Sequence, residues 1–195
     1  MKVRFTIFFL FIAVLFSCTS IFAQDENQEM SEGQKAWEEF MTPGPYHKMM
    51  AKSVGDWKTV TKFWQDPAGE PQIIEGTAKT ESLLGGRYFK TTHNGEMMGM
   101  PFEGFSIDGY DNAKKEFFSM WVDNMGTSYM LSKGNYDEDS KTLTMTGSTY
   151  DPMVGADIDY KEVIKYTDEN TQVMEMFSIK DGNEVKMMSV EMTKQ

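Results

Sequence analysis

Cysteine is nearly absent. The one thiol, Cys18, lies in the apolar N-terminal run, so the rest of the chain has neither disulfides nor thiol chemistry at its disposal. Histidine is almost as scarce, with only His47 and His93, and the two are not at a metal-ligand spacing. No Ser-His-Asp order, glycine-rich phosphate loop or cysteine cluster makes up for this, so metal, cofactor and nucleophile chemistry are not expected. A haem barrel that ligates through a late-strand histidine is also unexpected, because no histidine follows His93. Basic residues are few, 19 against 30 acidic ones, a net charge of −11. Such a balance repels nucleic acid and anionic membrane surfaces, and its plain reading is solubility outside the cytoplasm.

What is present begins with an export signal. Lys2 and Arg4 precede an apolar run over residues 5–16, too short for a transmembrane helix and suited to a signal-peptide core. Ala23 before Gln24 offers the cleavage site, making 1–23 the signal peptide and the product periplasmic or secreted. Lipidation at Cys18 is the alternative, disfavoured by the bulky Phe16 beside Ser17. Loss of Lys2 and Arg4 would leave 17 basic residues against 30, a net charge of −13. Residues 24–33 read as a flexible polar leader, and 34–195 as a single domain.

Two short helical stretches open the domain. Ser31 is placed to cap the first, which ends at Pro43-Gly44-Pro45; the second covers residues 46–54, with His47 as a surface or capping residue. Gly55-Asp56-Trp57 follows, and from there strand and turn alternate. Strands are expected near 56–65, 72–83, 87–93, 102–110, 116–124, 127–135, 142–150, 158–166, 171–180 and 184–193. About ten antiparallel strands at this spacing suit an all-β, up-and-down barrel closed at one end by a short N-terminal helix.

Three segments resemble one family. Residues 97–104 (Met-Met-Gly-Met-Pro-Phe-Glu-Gly), 109–112 (Gly-Tyr-Asp-Asn) and 121–126 (Trp-Val-Asp-Asn-Met-Gly) are similar to the bacterial domain of unknown function 1579 family, over roughly residues 45–193. The resemblance implies a lipocalin-like β-barrel without an established activity. In lipocalin-like barrels a glycine before the first-strand tryptophan lets the helix lie on the floor, and an arginine covers the indole. No arginine is near the last strand here, and Lys194 is the candidate in its place.

A weak repeat orients the barrel. Tyr110-Asp111, Tyr136-Asp137 and Tyr166-Thr-Asp168 each end a strand and begin a polar turn, at separations of 26 and 30 residues. Each interval holds two strands, so in a meander the three turns share one end with Gly85-Gly86, Trp57 and the helix. That end is the floor. The connections near 66–71, 94–101, 124–126, 151–157 and 181–183 form the mouth, with 94–101 and 151–157 the longest.

The mouth gathers Trp64, His93, Met97, Met98, Met100, Trp121, Asp123, Met125 and Met153, which are the candidate ligand-binding residues. Methionine side chains are unbranched and polarizable, and they conform to varied apolar shapes. The expected function is binding of a small apolar or amphipathic molecule. Three alternatives stand beside it: an enzyme with Asp123, near Glu96, as acid or base; a Cu(I) site of His93 with thioethers; and a structural barrel filled by its own side chains. On the strand near 116–124, Phe117, Ser119, Trp121 and Asp123 share one face and Phe118, Met120 and Val122 the other, with Trp121 expected inward.

Overall fold

A computed structural model describes residues 30–195. The expected export signal over 1–23 and the expected leader up to residue 29 lie outside the described residues. Helix α1 (Glu32–Met41) begins at a reciprocal cap: Gln34 N donates to Ser31 Oγ at 3.3 Å, and Ser31 N donates to Gln34 Oε1 at 2.8 Å. Helix α2 (Pro45–Ala51) follows Pro43 and Gly44, and Gly44 N donates to His47 Nδ1 at 3.1 Å. His47 is thus a capping residue, though a buried one.

Ten strands follow: β1 (Gly55–Phe63), β2 (Gln72–Leu83), β3 (Tyr88–Met97), β4 (Met100–Asp111), β5 (Glu116–Asp123), β6 (Met130–Asp137), β7 (Thr142–Asp151), β8 (Ala156–Tyr166), β9 (Thr171–Lys180) and β10 (Asn183–Lys194). Each pairs antiparallel with its chain neighbours, and β1 pairs with β10, closing an up-and-down barrel. Closure leaves no unpaired edge strand among the described residues.

The tyrosine repeat marks the floor. Tyr46 of α2 packs against Tyr110 with ring centroids 4.7 Å apart, and lies 6.4 Å from Tyr136, which is 6.0 Å from Tyr166. Met50, on the same helix, joins Phe89, Phe117, Leu143 and Met145 in one buried cluster. The helix that closes the barrel is therefore α2. The polar turns after these tyrosines share one chemistry, an aspartate accepting a nearby backbone N–H: Asp111 from Ala113 at 2.9 Å, Asp137 from Ser140 at 2.7 Å and Asp168 from Asn170 at 2.7 Å.

Trp57 fills the other half of the floor, buried with Ala78, Val190 and Met192. Gly55 takes φ +138°, where L side chains are strained, and a Cβ there would meet Lys194 Cε at 3.0 Å. Lys194 Nζ lies 5.4 Å from the Trp57 ring centre and donates to Lys52 O at 2.8 Å. The lysine thus covers the indole and ties the last strand to the segment after α2. Lys194→Ala is expected to lower stability by about 1–2 kcal/mol in denaturant melts, through loss of a cation–π contact and a charged hydrogen bond. Lys194→Arg is expected to retain most of it.

The mouth departs from expectation in its loops. Residues 94–101 are mostly strand: β3 and β4 run on as a ribbon to a two-residue turn, with Met97 opposite Met100. Met98 (φ 54°) and Gly99 (φ 76°) give that turn its I′ geometry. Positive φ at two successive residues is what fixes the hairpin, and methionine does not announce it. Likewise 151–157 shrinks to a turn between Asp151 and Ala156, where Asp151 accepts the Met153 N–H at 2.7 Å. The long mouth connections are residues 64–71 and 124–129. Strand β6 starts at Met130 rather than 127, after a connection that Asn124 anchors to β4: its amide donates to Pro101 O at 3.0 Å and accepts the Glu103 N–H at 3.1 Å.

Candidate functional site: the barrel lumen

Alternation along the strands decides what enters the lumen. Each floor tyrosine points inward, so residues two and four positions before it do too. On β4 these are Asp108 and Ser106, and on β8 Ile164 and Glu162; on β5 the inward set is Phe117, Ser119 and Trp121. Phe118, Met120 and Val122 take the outer face, half-buried, with Phe118 beside Tyr88 at 6.2 Å between ring centres.

Between α2 and the mouth these side chains surround a cavity of about 260 Å³. Its two sides differ. Strands β1 to β5 supply hydroxyl and carboxyl groups: Thr59, Thr61, Thr80, Thr91, Ser106, Asp108 and Ser119. Strands β7, β9 and β10 supply an apolar wall rich in thioethers: Met145, Met174, Met176, Met188, Val190 and Met192. Glu162 of β8 interrupts that wall.

Hydrogen bonds join the buried polar groups of the lumen and its strands. Thr80 and Thr91 share a hydrogen bond of 3.0 Å, Ser106 Oγ donates to Asp108 Oδ2 at 2.6 Å, and Ser132 Oγ donates to Glu162 Oε2 at 2.9 Å. Burial disfavours charge on both acids. It pushes Asp108 above the usual carboxylate range against the bonds from Ser106 and Ser119. Glu162 is pushed up to about 6 by burial, with Asp108 adding to the effect and Ser132 opposing it. Burial also lowers His93 to about 4, so its imidazole is neutral near pH 7. Tyr160 is pushed up to about 12 by burial and then by Glu162, with the Ser132 hydroxyl opposing.

The nine mouth residues separate into groups. His93, Met97 and Trp121 line the cavity. His93 meets the Trp121 ring edge-on at 5.5 Å, and Phe102 stacks on Trp121 at 6.4 Å, so an aromatic group stands at the entrance. Trp121 lies over Gly104, where a Cβ would come within 2.5 Å of the indole. Asp123 holds Trp121 from behind: Trp121 Nε1 donates to Asp123 Oδ2 at 2.7 Å, and Asp123 Oδ1 accepts the Met125 N–H at 2.9 Å. Both carboxylate oxygens thus serve the turn and the indole. Met98, Met100, Met125 and Met153 are exposed on the rim, Met153 almost fully. Trp64 stands apart in a shallow surface pocket with Pro67, Glu184, Val185 and Lys186, and its N–H donates to Met187 O at 2.8 Å, at the irregularity of β10.

Asp108, Glu162 and the wall methionines were not among the residues singled out from the sequence. The signal for the first two was available: they lie two and four positions before repeat tyrosines, on the inward parity. The methionines of β9 and β10 alternate with polar residues, yet in a chain with 18 methionines that pattern does not stand out. Among the described residues no group of three or more His, Cys, Asp or Glu is placed to hold a metal ion.

No curated protein matches the chain. The family model described as a protein of unknown function, DUF1579, matches residues 42–194, which takes in α2 and the whole barrel. Its span covers the floor, both cavity walls and the mouth, and the chain belongs to the DUF1579 family.

Proposed function

We propose that this is an exported binding protein that holds a small apolar or amphipathic molecule inside the barrel. The observation that carries the reading is the cavity: about 260 Å³, closed below by α2, with a thioether wall facing a hydroxyl and carboxyl wall. That volume lies just below the roughly 300–1,000 Å³ of ordinary ligand sites, so the ligand is compact. Thioethers adapt to the ligand's apolar body, while the polar wall fixes its orientation. Export follows from the charged and apolar N-terminal segment, and a soluble carrier suits a strongly acidic chain outside the cytoplasm.

The test is native mass spectrometry of the protein purified from the cells that make it. A bound organic mass, released on denaturation, is the expected result. Bare protein of the calculated mass would favour a structural barrel instead. Catalysis is a second reading, favoured by Glu162, because an acid with a pKa of about 6 suits proton transfer near neutrality. Its mark would be paired substrate and product masses in the same spectrum.

A further inference from the structure

We propose that the inner part of the lumen receives the protonated amine of an amphipathic ligand, seated between Asp108 and Glu162. The inference rests on the lumen-binding reading and adds the chemistry of the ligand's polar end.

The first argument is charge. Three acids line the cavity, Glu96 near the mouth with Asp108 and Glu162 inside, and no lysine or arginine does. The one basic side chain on the wall, His93, is neutral near pH 7. A carboxylate ligand would therefore meet acids and find no cation, whereas an ammonium group meets only acceptors. The chain's net charge of −11 draws cations toward the mouth as well.

The second argument is unfilled bonding capacity. Asp108 accepts from Ser106 and Ser119, and Glu162 from Ser132, but neither joins any ion pair among the described residues. An ionised carboxylate offers about four acceptor positions, so several remain on each. An ammonium group brings three donors, the number needed to bridge two carboxylates and a further oxygen.

The third is the apolar surface beside the acids. Met176 and Met188 on one side and Trp121 on the other line the same cavity and leave a path for the tail.

The experiment is calorimetric titration of the full chain at pH 7.5 with three probes of one length: hexylamine, hexanol and hexanoate. Hexylamine is expected to bind at least about tenfold more tightly than hexanol, the effect of one charge-assisted hydrogen bond, and hexanoate more weakly than either. In the double variant Asp108→Asn, Glu162→Gln the ratio of amine to alcohol affinity is expected to collapse toward one. Hexanol or hexanoate binding as well as hexylamine would overturn the amine inference and leave the lumen-binding reading intact. Binding of none of the three would overturn both. If the double variant does not fold, the wild-type protein still decides. At pH 6 hexylamine is expected to release protons from Glu162, seen as a dependence of heat on buffer ionisation, and hexanol is not. Equal buffer dependence for the two probes would overturn the inference.

Discussion

Phe117→Ala is expected to lower the stability of the barrel by about 3–5 kcal/mol, the range for removing a fully buried aromatic ring. Phe117 is 2% exposed and lies where the floor cluster meets the cavity. Its ring centre is 4.8 Å from Tyr110, 5.2 Å from Tyr46 and 6.5 Å from Tyr136. Truncation therefore opens a hole between α2 and three strands. The helix is only seven residues long and too short to hold its conformation without that packing. The neighbouring Phe118 has the same chemistry on the outer face and is half-buried, so Phe118→Ala is expected to cost clearly less. Denaturant midpoints of the two variants provide the check. Equal losses would mean that the assignment of inner and outer faces on β5 is wrong.

The second large effect is acid sensitivity through His93. Burial holds this imidazole at about 4 in the folded chain against an ordinary 6.5. Between those values the unfolded chain binds a proton that the native protein refuses, so stability falls as the pH drops from 6.5 through 4. The interval corresponds to about 3 kcal/mol. Glu162 acts in the opposite sense. Its folded pKa of about 6 lies above the usual 4.5, so its contribution is lost as pH rises through that window, by about 2 kcal/mol. Asp108, also raised, acts in the same direction as Glu162. The wild-type curve is thus a difference of opposing effects, and only a variant isolates the histidine. His93→Gln is expected to lose about 3 kcal/mol less than wild type between pH 7.5 and pH 4, in urea melts at both. Parallel pH dependence in the two proteins would show that His93 is already accessible to protons in the folded state.

The sequence showed the frame more clearly than the contents. The count of ten strands and the identity of the floor were legible because each rests on local chemistry: aspartate turns, the tyrosines before them and the Gly-x-Trp start. These features keep their meaning wherever the strands pack. The mouth was less legible. A Met- and Gly-rich stretch such as 94–101 reads as a loop, but positive φ at Met98 and Gly99 makes it a hairpin ribbon whose Met97 and Phe102 lean over the cavity. The lumen was harder still, because it depends on residues from strands far apart in the chain. Asp108 and Glu162 are separated by 54 positions, 162 − 108, and each alone looks like a solvated acid on a strand. Their pairing comes from barrel closure and from the parity that the tyrosines set.

The most direct measurement of lumen binding is methyl NMR on protein labelled at its methionine methyl groups, titrated with hexanol and hexylamine. The methionines report on two places at once: Met174, Met176 and Met188 line the cavity, while Met98, Met125 and Met153 stand exposed on the rim. The expected result is movement of the first three signals with the last three unchanged. Shifts confined to Met98, Met125 and Met153, with the lumen methyls unmoved, would contradict the account.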